Sequence, residues 1–590
     1  MLTCYRHRVV WAGSREGGLA NARRPDTGNP RIRRVSGCVS TTSILGQDTD
    51  RSAGGTWAAH RLYPGLKSNN MLGTYGYPDF PMEESRYGVK PNTHIPGHVL
   101  NMYFNDYAKH FGFYDDIHFN TRVNVVRPAG EAWELSVTDP AGSKTVIARK
   151  LILATGLTST PNMPSYAGQE SFKAPLFHAK DFCVRAGEVK NARNTVVVGG
   201  AKSAFDVAYA QVQEGSTVDL IIRDDGHGPV WIAPSRVTPF KKRIDQLLLI
   251  RWMTWMAPCP WGFEDGFGGI RSFLHGTFIG RWIVDTFWKV LSGDVLAANG
   301  YESHPELQKL KPWNSAFWIG SGLSILNYDT PFFDLVKQGK VRVHIGQIDH
   351  LEERTVVLAD GTRIHADAAI CSTGWKKESP IRFEGLASHG FGLNVSGAEK
   401  EKLNLRADQD VLKMFPRLKD QPELRFTPKT SDPLRLYRFI VPSGYAQSRN
   451  IAWVGAVSTV STSLCATVQG QWTAAYFANK LDRFKSTDKE IQDEIMLHTQ
   501  WGKWRYPCGY GASLPDFVFE GLPYIDLLLR DLGLKTHRKS NAFAELFYPY
   551  LPEDYAGLVE EWKAGHVAAE KEKEKDMDSF IEKVTVVPNK

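Results

Sequence analysis

The stretch Thr195-Val196-Val197-Val198-Gly199-Gly200-Ala201-Lys202-Ser203-Ala204 joins an apolar β-type run to a glycine pair and then to a helical pattern. Backbone amides at the start of such a helix can cradle a pyrophosphate, which makes the segment a site for a nicotinamide dinucleotide. Two strand-end turns flank it, Ala154-Thr155-Gly156 and Ser372-Thr373-Gly374, and a second glycine-rich segment lies upstream, Gly13-Ser14-Arg15-Glu16-Gly17-Gly18-Leu19-Ala20. This is the order that a two-dinucleotide oxidoreductase needs, in which electrons pass between cofactors held ring to ring.

Positioning two dinucleotides takes more than one core, and 590 residues allow two or three domains. Residues 195–223 read as a complete β-turn-α-β unit, its helix running from Ser203 to Gly215 and its second strand being Thr217-Val218-Asp219-Leu220-Ile221-Ile222. Upstream, 96–111 reads as a helix with Val99, Leu100, Tyr103, Tyr107 and Phe111 on one face. The segments 118–126 and 133–138 read as antiparallel strands leading to an apolar strand at 150–156. Downstream come a helical insert at about 239–326, strands at 341–345 and 354–358, a strand at 451–455 and a helix through Val468, Trp472 and Ala475. The first fifty residues offer only a short strand at Val9-Val10-Trp11, and 571–575 reads as a solvated tail. The expected fold is α/β: two Rossmann-like dinucleotide-binding domains, the first discontinuous. Residues 1–156 and 376–480 form that first domain, 157–375 the second with its insert, and 481–590 a C-terminal extension.

A formal net charge of +7 is small for this length and spread along the chain, so phosphate-bearing ligands fit and nucleic acid does not. Cys4, Cys38, Cys183, Cys259, Cys371, Cys465 and Cys508 are scattered without C-x-x-C spacing. That argues against a disulfide framework, a bound metal and a disulfide reductase, and for a reducing, cytoplasmic setting. No uninterrupted apolar stretch is long enough to span a bilayer, leaving a soluble or peripherally membrane-associated chain. Segments 247–256 and 278–288 combine tryptophans with isolated cations, as interfacial helices do; the alternative is a buried or lid-forming insert.

Taken in order, Gly54-Gly55-Thr56-Trp57, Tyr63-Pro64, Lys67-Ser68-Asn69, Tyr77-Pro78-Asp79-Phe80-Pro81, Ala154-Thr155-Gly156, Gly199-Gly200-Ala201-Lys202-Ser203-Ala204 and Ser372-Thr373-Gly374 resemble the flavin-containing monooxygenase family. The likeness covers roughly 51–481, with Leu436-Tyr437-Arg438 and Gln469 or Gln471 standing where the family's returning flavin segment would lie. Residues 172–178 resemble the linker fingerprint F-x-G-x-x-x-H shared with Baeyer-Villiger enzymes, Ala174 replacing its glycine. Phe182 stands where those enzymes place tryptophan, which favours heteroatom oxygenation over Baeyer-Villiger oxidation.

The resemblance implies FAD and NADPH as cofactors, a small hydrophobic substrate and O2 as partners, and oxygen insertion through a peroxyflavin. Gly54, Gly55, Thr56, Trp57, Ala154, Thr155 and Gly156 would lie on the flavin side and Thr373 and Gly374 at the second turn. Asn69 would hold the oxygenated flavin and the nicotinamide, and His178 would bridge linker and cofactor without transferring protons. Taken alone, Asn69 is equally a loop-capping residue and His178 a satisfied hinge histidine. NADPH would sit on the amides after Val198, with Ser203 near the phosphates and Lys202 or Arg223 facing a 2′-phosphate, although Asp224 and Asp225 weaken the preference for NADP. Trp252, Trp255, Trp282, Phe287 and Trp288 would cover a lipophilic substrate, or are plain core.

Gly13 and Gly18 are the first and third glycines of the FAD fingerprint, but Arg15 fills the second position, where backbone must touch phosphate. The ribose acid is also missing: its place falls at Gly46, with Asp48 or Asp50 as substitutes. Either residues 1–50 are a corrupted fingerprint, which the undisturbed sequence from Gly54 onward favours, or the chain is a variant with impaired FAD binding and no catalysis.

Overall fold

The computed structural model describes residues 8–11, 45–237, 242–385, 397–427 and 434–567, so Gly13, Arg15, Gly18 and the tail at 571–575 lie outside the described residues. Two five-stranded sheets organise the chain into two Rossmann-like halves. The first has the order Ile451–Trp453, Leu151–Ala154, Arg8–Trp11, Leu45–Asp48, Ile117–His118. Leu151–Ala154 is buried throughout. Ile152 packs into one apolar cluster while Leu151 and Leu153 pack into another, as a strand covered on both faces must.

The outer pairs of this sheet are parallel, but Arg8–Trp11 runs antiparallel to both neighbours. Trp11 therefore pairs with Leu45 and Leu151, the starting ends of those strands. A dinucleotide fingerprint needs its first strand to finish at the other edge, beside Asp48 and Ala154, where ligands bind in open α/β sheets.

A side sheet of Arg382–Phe383, Arg122–Ala129, Ala132–Asp139 and Gly142–Ala148 packs on Leu151 and Leu153 through Val126, Leu135 and Val137. The single strand expected over 118–126 is divided: Asn120 turns with φ 52°, sending Ile117–His118 to the first sheet and Arg122–Ala129 to the side sheet. Asparagine tolerates that left-handed conformation better than other side chains. The helix Gly97–His110 buries Val99, Leu100, Tyr103, Phe104 and Tyr107, one face at helical spacing, in an aromatic cluster with Tyr77 and Phe80.

The second sheet, Leu176–His178, Ala368–Cys371, Asn194–Val198, Thr217–Ile222 and Val341–Ile345, is parallel throughout. Its carboxyl ends converge on Gly199, Ser372, Arg223 and Gly346. The insert leaves it through Trp231–Pro234 and returns through Leu323–Leu326, two strands paired in parallel. Between them lie the helices Gly268–Gly276 and Phe278–Asn299.

Beyond the helix Thr462–Phe477, the extension folds into Asp488–Arg505, Gly521–Asp531 and Ala542–Phe547. Its Trp501, Phe519 and Tyr524 share one core with Trp261 and Trp288 of the insert and Trp472 of the returning segment. Buried ion pairs stitch the parts together, Arg251 to Asp526 at 2.5 Å and Arg438 to Asp531 at 2.8 Å, and Arg505 to Glu520 at 3.2 Å braces the extension internally. Among the described residues no helix is long and apolar enough to cross a membrane.

Candidate functional site

A cavity of about 540 Å³ opens at the carboxyl ends of the parallel sheet, lined by Gly199, Gly200, Ser203, Arg223, Thr373 and Gly374. Gly199 has φ 141° and Gly200 packs so closely that an added Cβ would meet the Gly228 carbonyl oxygen at 2.6 Å. Only glycine allows the chain to turn here and leave its amides open. The helix Lys202–Gln213 follows, and Ala201 at its N-cap provides no side-chain cap. Its first amides are therefore available to a phosphate. The Ser372 hydroxyl is buried in the same cavity without a partner.

The two cations expected near a 2′-phosphate are separated by the fold. Lys202 does not line the cavity; it is ion-paired with Asp206 and lies 4.4 Å from the Tyr328 ring. Arg223 does line it, with its guanidinium 3.4 Å from Asp225, while Asp224 accepts from the Gln347 amide at 3.0 Å. Both neighbouring acids are thereby engaged.

His178 lies behind the turn rather than in the cavity. Its Nδ1 accepts from the Lys180 amide at 3.0 Å, so Nε2 carries the proton and donates to the Gly374 carbonyl, also at 3.0 Å. Burial lowers its pKa and keeps the ring neutral. With both nitrogens spent on backbone, it ties the linker to the second turn.

On the flavin side a polar cavity of about 590 Å³ is lined by Asp50, His60, Arg61, Thr121, Thr155 and Lys180. Asp50 accepts from His60 at 3.2 Å and faces Arg61 at 3.6 Å. Of the ribose-acid candidates it is the one on the cavity wall; Gly46 pairs inside the sheet with Val10 and Ile117. Gly54 and Gly55 both turn with positive φ, 116° and 57°. Ser52 Oγ and Thr56 Oγ1, close to them in the chain, His60 Nδ1 on the cavity wall, and Thr158 Oγ1, one residue before the wall residue Ser159, are buried without hydrogen-bond partners. Unsatisfied buried polar atoms beside a polar cavity call for a polar ligand, so from Asp48 onward the residues fit a flavin dinucleotide. Trp57 packs instead on the Tyr77–Phe80 aromatic cluster.

A third cavity, about 90 Å³ and almost wholly apolar, is lined by Asn69, Trp288, Leu291, Ser292, Ser324 and Phe519. Trp231 and Ile319 form part of its wall and part of the nicotinamide-side cavity wall, so the two adjoin. Asn69 lies on the strand Lys67–Met71, and its Oδ1 accepts from Ser324 at 3.4 Å. Asp245, at the edge of this cavity, is pushed up by burial, but hydrogen bonds from Arg243, Thr74 and the Met71 amide outweigh that and hold its pKa low. The Ser292 hydroxyl is buried without a partner.

Tyr506, Val518 and Phe519 of the C-terminal extension also wall this cavity, a contribution that sequence reasoning missed. The signal was the aromatic content beyond Lys480, hidden among charged residues. Of the aromatic insert residues expected over a substrate, Trp288 lines the cavity, Trp252, Trp255 and Phe287 pack against the shared core, and Trp282 faces solvent. Arg438 and Gln469 tie the returning segment to the extension: Arg438 to Asp531, and Gln469 to Tyr524 at 2.8 Å.

Residues 68–251 match the family model described as pyridine nucleotide-disulphide oxidoreductase. An FAD-dependent monooxygenase of Pyrenophora dematioidea is 33% identical over 534 residues, covering 86% of this chain and 95% of its own. Another, from Aspergillus sclerotiorum, is 32% identical over 554 residues, covering 89% and 94%. The cyclohexanone monooxygenase of Rhodococcus sp. Phi1, solved with NADP+, shares the fold at TM-score 0.51 and 17% identity, over 83% of this chain and 93% of that one. With the paired dinucleotide halves and a third of all residues shared along nearly the whole length, the chain belongs to the FAD-dependent monooxygenases.

Proposed function

We propose that the chain uses NADPH and O2 to insert one oxygen atom into a nitrogen or sulfur centre of a lipophilic small molecule. The observation that carries this reading is the apolar cavity beside Asn69, which shares Trp231 and Ile319 with the dinucleotide cavity around Gly199 and Gly200. FAD, when bound, supplies the two-electron reduction of O2. The balance is substrate, NADPH, a proton and O2 giving oxygenated substrate, NADP+ and water.

The chain's own residues bind, orient and exclude water. The amides after Val198 hold the pyrophosphate of NADPH, and Arg223 faces its 2′-phosphate. Asp50 and Thr155 line the place for the adenosine half of FAD. The Asn69 carboxamide, which donates and accepts at once, orients the groups meeting at the cavity mouth. Trp288, Leu291 and Phe519 keep that mouth dry, which protects an oxygenating site from proton leakage. Ser292 offers the substrate one hydrogen-bonding point. Phe182, buried against Tyr63 with ring centroids 5.8 Å apart, stands where the family resemblance places tryptophan in Baeyer-Villiger enzymes, and that resemblance favours heteroatom oxygenation.

A second reading, a relative with impaired FAD binding, rests on the antiparallel strand Arg8–Trp11. The test is the visible spectrum of the purified chain, NADPH oxidation, and mass spectrometry of products from a thioether, a tertiary amine and a cyclic ketone. A flavin spectrum with a sulfoxide or N-oxide supports the first reading. A ring-expanded ester would overturn its heteroatom assignment, and a colourless protein that takes up no added FAD would establish the second.

A further inference from the structure

The outer face of the insert helix Phe278–Asn299 departs from the rule that a helix packed on a core turns polar side chains outward. Its inner stripe, Gly280, Val284, Trp288, Val295 and Asn299, is buried. Its outer stripe contains Ile279, Trp282 and Val290, which are 60%, 63% and 66% exposed, and Phe278 in the first turn is 78% exposed. The preceding helix Gly268–Gly276 packs against this one and adds exposed Ile270 and Phe273. Aromatic and branched side chains thus gather at one corner of the molecule, where a monomer in water would place charge.

Cations border the corner. Arg281 bonds only a carbonyl, that of Gly276, at 2.9 Å. Lys289 is exposed on the same helix, and the turn Pro416–Lys419, packed on Gly268–Gly276, brings Arg417 and exposed Lys419. Asp285 and Asp420 are both met by Arg417, at 2.7 and 3.4 Å. Against these two acids stand four cations, Arg281, Lys289, Arg417 and Lys419, so the balance of the corner is positive.

We propose that this corner docks on the anionic surface of a lipid bilayer. Phe278, Ile279 and Trp282 enter the headgroup layer, and Arg281, Lys289 and Lys419 meet the negative lipid headgroups. An apolar tip carrying Trp and Phe with basic residues at its border matches an interface that is apolar within and negative at its rim. A protein partner would need a complementary acidic border around an apolar socket. The same helix turns Trp288, Leu291 and Val295 into the apolar cavity. If the proposed function holds, a lipophilic substrate dissolved in the bilayer then has a short route to the site; the docking itself does not depend on that.

The test is sedimentation of the purified full chain with vesicles of phosphatidylcholine alone and with about one third phosphatidylserine. The wild type sediments with the anionic vesicles, at least about tenfold more tightly than with neutral ones. Ile279→Glu/Trp282→Glu and the milder Ile279→Ser/Trp282→Ser lose that binding with unchanged melting temperatures, since the replaced side chains are exposed. Lys289→Glu/Lys419→Glu removes the preference for phosphatidylserine. Ile147→Ser, at a 56% exposed position on the side sheet, binds as wild type. Wild type remaining in the supernatant, or Ile279→Glu/Trp282→Glu sedimenting unchanged, overturns the proposal. So does a dimer in solution that Trp282→Glu splits without any vesicle binding, which would assign the surface to a second copy.

Discussion

Around Gly199 and Gly200 nearly every close contact comes from the ends of one sheet: Ser372 follows its neighbouring strand, and Gly228 lies a few residues beyond the next. The apolar cavity is made differently. Asn69, Trp288 and Phe519 arrive from a flavin-side strand, the insert and the C-terminal extension. The phosphate turn of the first site is written in ten consecutive residues, Thr195 to Ala204, and depends on backbone clearance, although insert and extension residues such as Trp313 and Tyr510 complete its outer wall. The apolar cavity has no such local kernel and depends on how three bodies are pinned. The pins are buried charges, with Arg438 holding Asp531 at 2.8 Å and Glu494 at 2.8 Å. Burying such groups adds little net stability against well-packed apolar replacements, yet losing one partner is expensive.

That contrast breaks most sharply at Arg438. Replacing it by methionine strands Asp531 and Glu494 in the core, and the expected loss is about 3–5 kcal/mol of unfolding free energy. Urea unfolding measures it; a loss under about 1 kcal/mol would mean that the extension is not pinned by this cluster. Gly199→Val comes next. At φ 141° and against the Ser372 carbonyl, a branched side chain strains the turn and closes the phosphate path. NADPH kcat/KM should fall about a hundredfold with the flavin spectrum retained. Arg223→Gln is milder: KM for NADPH rises about tenfold while KM for NADH stays within about twofold, and equal changes for both would remove Arg223 from 2′-phosphate recognition.

The β-turn-α-β unit was legible because its signals are local: an apolar strand, a glycine pair with no room for Cβ, and a helix at 3.6-residue spacing. Asn69 was legible as a family position, but its meeting with Ser324 was not, since 255 residues separate them. Lys202 shows the limit of counting. It stands at the right distance from Gly200, but Asp206 lies four residues on, on the same helix face, and captures it. The reversal of the strand Arg8–Trp11 was invisible because its apolar run Val9-Val10-Trp11 reads the same whichever way the strand is laid in the sheet. The extension's share in the apolar cavity wall was masked by its charge, part of which is paired inside the protein, as Asp531 with Arg438 and Arg505 with Glu520.

The weakest expected effect lies in the same charged cluster and depends on pH. Burial raises the Glu494 pKa to about 7 from 4.5, more than Arg438 lowers it. Asp531 is likewise raised by burial, Lys485 and Glu264 are the other charges acting on Glu494, and His498 is held neutral, its pKa lowered to about 3. A carboxyl whose folded pKa exceeds its unfolded one stabilises fully below the unfolded value and loses that contribution as pH rises through the folded one. The wild type should therefore melt lower at about pH 8.5 than at about pH 5.5, and Glu494→Gln, neutral at both, should flatten part of that fall. The buried carboxylate of the parallel sheet behaves the opposite way: burial pushes Asp219 up, but His344 and Arg342 outweigh it and keep the group charged across the window. Asp219→Asn should leave the slope between those pH values unchanged, and a flattening there as large as that of Glu494→Gln would erase the distinction between a site fixed by backbone and one fixed by buried charge.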